Sequence, residues 1–181
     1  MQQRTLVSAI VVMAALVFAP AAFGADVAKI GLVDFQQIFN TSLSGKKAQA
    51  EISKRGESYE SELKNRGEQI EEERSKLERE ALVMSAEMRE QKERDFRIMV
   101  NDFKMLQKKR MTEFKEYEQQ MITRIKNEVL TIVEKIGKKD GYLLILDKRG
   151  GGVLYAPGAL DITDSVIQLY NEQFEKSGGQ S

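Results

Sequence analysis

The side chains that most often do chemistry are scarce in this sequence. It contains no His and no Cys, which removes the usual transition-metal ligands and the commonest nucleophile–base pairs. Gly150-Gly151-Gly152 is a glycine cluster that invites comparison with a phosphate loop. No Lys-Ser/Thr follows it, and Val153-Leu154-Tyr155 comes next, so it reads as a hairpin loop. Carboxylates are plentiful, but they alternate with Lys and Arg on charged stretches that offer no pocket to shift a pKa. The expectation is a protein that is not an enzyme and needs no cofactor or metal.

What remains is binding chemistry, and methionine carries its signature. Of the 8 Met, six are Met84, Met88, Met99, Met105, Met111 and Met121, all within one charged, helix-forming stretch. Met is flexible and polarizable, and is over-used on surfaces that accept varied partners. Phe96, Met99, Phe103, Leu106, Phe114, Tyr117, Met121, Ile125, Ile132 and Ile136 recur at helical spacing as one apolar stripe. Ile98, Met105, Met111, Ile122, Leu130 and Val133 lie off it. A partner helix can cover one stripe and not both. Met84, Met99 and Met121 suit a seam between helices; Met88, Met105 and Met111 are candidates for exposure.

Two long helices must position these residues. Pro20 and Pro157 are the only prolines, and no Gly occurs between Gly67 and Gly137. Glu, Lys, Arg, Gln, Leu and Met fill the interval, all good helix formers. We read helices over about 45–83 and 86–136, roughly 58 and 76 Å long at 1.5 Å per residue. Ser85 is the expected N-cap of the second, with Glu87 in its first turn. The first helix has a thin seam, Leu63, Ile70, Leu77 and Met84, about half of what a stable coiled coil uses. Glu60–Lys64, Glu62–Arg66, Glu90–Arg94 and Glu93–Arg97 are spaced as i,i+4 pairs. Gly56 and Gly67 are either hinges or close-packing sites. Lys108-Lys109-Arg110 is the one basic triplet.

Strand material flanks the helices. Lys29 to Asp34 precedes them, and Tyr142 to Leu146 follows, apolar on both faces as expected for burial on both sides. Val153-Leu154-Tyr155 is read as the return strand of a hairpin. Asp161-Ile162-Thr163-Asp164 then opens an amphipathic helix with Val166, Ile167, Leu169, Tyr170 and Phe174. Strands on either side can meet only if the helices fold back, so the fold class is mainly α with a small β body. A long antiparallel helical hairpin arm (45–136, tip near 84–88) protrudes from a body made of 25–44 and 137–176. Residues 177–181 are expected to be disordered. So small a body is marginal alone, and self-association through Ile30, Leu32, Val33, Leu144 and Leu146 is the expected remedy.

The N-terminus suggests export. Arg4 is the only charge before Asp26, Leu6 to Phe18 is an apolar run of signal-peptide length, and Ala22-Phe23-Gly24 fits a cleavage site after Gly24. The expected mature chain loses Arg4 from a balance of 28 basic and 28 acidic residues, leaving a net charge of −1. That argues against nucleic acid as a partner.

Lys29-Ile30-Gly31-Leu32-Val33-Asp34, Gly45-Lys46-Lys47-Ala48, Tyr142 to Asp147, and Leu160-Asp161-Ile162-Thr163-Asp164-Ser165-Val166 occur in this order around the charged helices. The layout resembles the Skp/OmpH family of periplasmic chaperones over essentially the whole mature chain. The resemblance implies a homotrimer with a shared barrel-like body and three arms around a cavity. It implies ATP-independent capture of unfolded outer-membrane β-barrel proteins. The client-binding candidates are then Met84, Met88, Phe96, Ile98, Met99, Met105 and Met111. Anionic lipid or lipopolysaccharide is a further partner to consider through the basic triplet. The near-neutral charge departs from the basic members of the family, so no lipid-binding residue is assigned. The rival reading is a coiled-coil envelope scaffold with a fixed partner.

Overall fold

The computed structural model describes residues 28–179; the expected signal peptide and its cleavage site lie outside them. The chain runs β1 (Ile30–Val33), α1 (Phe35–Thr41), α2 (Leu43–Glu80), α3 (Ala86–Asp140), β2 (Leu144–Asp147), a 3-10 turn (Gly158–Leu160) and α4 (Thr163–Lys176). The two strands pair in parallel, Ile30 opposite Leu144 and Val33 opposite Asp147. Leu32 also bridges to Asp161 on the other edge of β1.

The long helices form as their composition dictates, with boundaries shifted by a few residues. Ser42 closes α1 and caps α2, its Oγ accepting from Gly45 N at 3.1 Å. Ser85 caps α3, accepting from Met88 N at 3.3 Å, with Glu87 in the first turn. Gly141, at φ 70°, ends α3 in the left-handed conformation that glycine adopts without a Cβ clash. Residues 81–84 form a turn rather than a last helical turn.

Contacts between α2 and α3 run in opposite chain order. Glu51 faces Tyr117, Gly56 faces Phe114, Glu62 faces Arg110 and Gly67 faces Phe103. The core lies only at the base, where Val33, Ile38, Ala48, Ile125, Val129, Ile132, Ile136, Val166 and Tyr170 pack together. Between Ala48 and Ile125 no residue of either helix is fully buried.

Several expectations need correction. α1 was not anticipated; Asp34 starts it by accepting from Gln37 N at 3.0 Å. The segment 153–155 forms no strand, and Leu154 and Tyr155 stand open. β2 pairs with β1, as expected of the strands flanking the helices, and gains no second partner from 153–155. β2 is not covered on both faces: Tyr142 and Ile145 pack on the core, while Leu143 and Leu144 remain exposed. Residues 177–179 make an ordered turn. Positive φ at Gly178 and Gly179 lets the chain recap α4, and Lys47 Nζ donates to Gly179 O at 2.7 Å.

Candidate functional site

Apolar side chains are exposed along the outer part of the arm as well as on the base. Met88, Ile98, Met105 and Met111 are 56, 58, 65 and 75% exposed, and Leu82 and Val83 at the turn are 94 and 86% exposed. Met99 is exposed on the edge of the seam, whereas Met84, Phe96 and Met121 are partly buried.

Two grooves flank the seam. One of about 440 Å³ is lined by Ile70, Ile98, Met99, Phe103 and Leu106, with Arg66, Gln69, Asp95 and Asp102 at its rim. The other, of about 830 Å³, holds Leu63, Phe103, Met111 and Phe114 beside Gly56, Tyr59 and Arg110. The thin seam of α2 explains both grooves, because its glycines add no side chain to the interface. Ile98, Met99 and Phe103 share one groove; Met111 belongs to the other; Met88 and Met105 line neither. An apolar, partly filled surface of this kind can bind apolar segments by repacking its side chains.

The charges around it mostly pair locally. Glu90–Arg94 and Glu93–Arg97 form as the spacing predicts. Glu60–Lys64 and Glu62–Arg66 do not: Lys64 reaches Glu68 instead, and Glu62 crosses to Arg110. The basic triplet is therefore no patch. Arg110 turns inward onto Glu62 and Glu113, and Lys109 lies 3.9 Å from Glu113. Hydrogen bonds donated to Glu62 and then to Glu113 raise the Arg110 pKa further, fixing its charge.

At the base, two polar clusters escaped the sequence reading. Asp34 accepts Arg149 Nε at 2.9 Å, and its own N–H donates to Thr163 Oγ1 at 2.9 Å. Thr163 in turn donates to Asp161, which also accepts Lys148 Nζ at 3.0 Å. This ring ties the ends of both strands to the start of α4. Burial pushes both carboxyls up, but hydrogen bonds outweigh it and hold them below their ordinary range: Gln37 and Arg149 for Asp34, Thr163 and Lys148 for Asp161. The second cluster centres on Tyr170, whose hydroxyl donates to Glu128 and lies 2.9 Å from Ser44 Oγ. Burial, then the Glu128 carboxylate, push that phenol far up. The Asp-Ile-Thr run is visible in the sequence, but Lys148, which bonds Asp161, and Arg149, which bonds Asp34, sit in a loop with no periodicity to mark them.

Of the association candidates, Ile30 and Leu144 face each other in register and are 37 and 47% exposed. Leu32 and Val33 are buried in the chain's own fold, and Leu146 is half-buried.

A small base thus carries two long helices that leave apolar surface uncovered. The sequence pattern of the OmpH-like outer membrane protein family matches residues 29–170, and the chain belongs to that family. Its fold is similar to that of an OmpH-like protein from Caulobacter crescentus, with a TM-score of 0.75 and 20% identity. That match covers 83% of this chain and 88% of the other. No curated relative matches the sequence.

Proposed function

We propose that this chain is a periplasmic chaperone that holds unfolded outer-membrane β-barrel proteins without nucleotide and keeps them from aggregating. Family membership supports a chaperone role and a periplasmic location. The observation that carries the holding mechanism is the exposure of Met88, Ile98, Met105 and Met111 along α3, with Ile98 and Met111 each lining a groove beside the seam. In this reading 45–136 is an antiparallel hairpin arm and Met84, Met88, Phe96, Ile98, Met99, Met105 and Met111 touch clients. A scaffold with one fixed partner would favour a continuous apolar seam, and α2 lacks one.

The same reading includes a homotrimer. Leu143 and Leu144 at the start of β2 and Leu154 and Tyr155 in the segment after it are exposed, and among the described residues β2 has no strand on its other edge. An unpaired apolar edge of this kind is a template for association. Other copies of the chain would cover it and complete a body in which the three arms enclose a cavity.

The experiment is to dilute a β-barrel protein from urea into the mature protein and follow light scattering. Suppression at a severalfold excess, with or without ATP, is expected; unchanged aggregation overturns the proposal. The chain has no Trp, so client tryptophan fluorescence reports binding without background.

A further inference from the structure

Among the described residues a single ion pair joins the two arm helices. Arg110 Nε and Nη2 donate to Glu62 Oε2 and Oε1 at 2.7 and 3.0 Å. The arm's other ion pairs lie within one helix, three or four residues apart. Arg110 Nη1 also donates to Glu113 at 2.6 Å, and the guanidinium lies 4.8 Å from the centroid of the Tyr59 ring. A fork on a carboxylate is directional, so this contact fixes the register of α2 against α3 where the apolar seam is too thin to do so.

Its neighbours make the position special. Phe114 rests against Gly56 on the base side and Phe103 faces Gly67 on the tip side, each ring over a residue with no side chain. Phe103 lines both grooves. From α2, Tyr59 and Leu63 line the groove beside these rings, while Gly56 and Gly67 add no side chain against them.

We propose that Glu62 and Arg110 form an electrostatic latch at the waist of the arm, whose release parts α2 from α3 there and uncovers Phe103 and Phe114. Salt distinguishes a latch of this kind from packing. Sodium chloride screens ion pairs, with a Debye length of about 3 Å at 1 M, but does not weaken apolar contact. The consequence for clients rests on the chaperone reading, whereas the latch itself is measured without any client.

The test is hydrogen exchange of the amides from 103 to 114 in the full mature protein, at low salt and in about 1 M sodium chloride. Exchange of the wild type should rise severalfold with salt. Glu62→Gln should reach the raised rate already at low salt and lose the salt response. Glu113→Gln, which leaves both bonds between the helices, should behave as wild type. Amides around Ile132 in the base, and total helicity, should stay constant in every case, which separates release from unfolding. Equal low-salt exchange in wild type and Glu62→Gln overturns the latch, as does a full salt response persisting in Glu62→Gln.

Discussion

The carbonyl of Phe39 passes so close to Gly45 that a Cβ on the glycine would lie 1.9 Å from its oxygen. The approach follows from the single residue, Ser42, that separates α1 from α2. Because the obstructing atom is backbone, no rotamer change relieves it. Gly45→Ala should cost about 3 kcal/mol in urea unfolding, at the upper end for overpacking. Gly67→Ala meets nothing nearer than 3.8 Å and sits inside a regular helix. It should stabilise the protein by up to about 1 kcal/mol, the helix-propensity difference. Destabilisation by Gly67→Ala would point instead to close packing of Phe103 on that glycine.

The ring around Asp34 sets an acid dependence. Asp34 and Asp161 have lowered pKa values in the fold, so their contribution is complete above the unfolded value of about 3.9. It is lost as pH falls through the folded values below that. Asp34→Asn keeps the cap on α1, since Asn caps as well as Asp, and removes the charge facing Arg149. The variant should be about 1 kcal/mol less stable than wild type at pH 7, a charged hydrogen bond being worth a little more than that. The gap should narrow as pH is taken from 5 to about 3. A gap independent of pH would mean that the Arg149 pair contributes nothing.

How much of this was legible follows from the kind of signal each part leaves. The long helices declared themselves through composition, and Ser85 through its place before Glu87, because capping and propensity are local effects. The strand material at 29–34 and 142–146 holds β1 and most of β2, but 153–155 forms no strand. Val-Leu-Tyr has strand propensity, yet a strand also needs a partner, and pairing is not a local property. The exposed methionines were half-legible: off-stripe spacing marked Met105 and Met111 correctly, while Met99 lies on the stripe and is still exposed. Neither Glu62–Arg110 nor Asp34–Arg149 could be read, since each joins residues far apart in the chain.

Assembly through β2 predicts sensitivity where the single chain is most open. Leu143 is 74% exposed and Leu144 47%, so an Asp at either site is tolerated by a lone chain but not in a covered interface. Leu143→Asp and Leu144→Asp should shift sedimentation equilibrium from trimer towards monomer at micromolar concentration. Leu32→Asp, buried within the chain, should unfold the base instead. Unchanged trimers in both surface variants would place the interface elsewhere, and a monomeric wild type would end the assembly proposal.

The last prediction concerns where clients touch. Met88, Met105 and Met111 make no core contact, and their exposure leaves apolar area free for a partner. Changing all three to Gln keeps helix propensity nearly constant, so helicity and assembly mass should be unaltered. Client protection should fall severalfold, because apolar contact is worth roughly 25 cal/mol per Å². A control triple of exposed charges on α2, Glu68, Glu71 and Lys76 to Gln, changes electrostatics without removing apolar surface and should do much less. Glu62 is left out of that control because it bonds across to Arg110. If both triples protect clients equally well, with assemblies intact, the clients bind away from these methionines, and the grooves beside Phe103 become the next surface to alter.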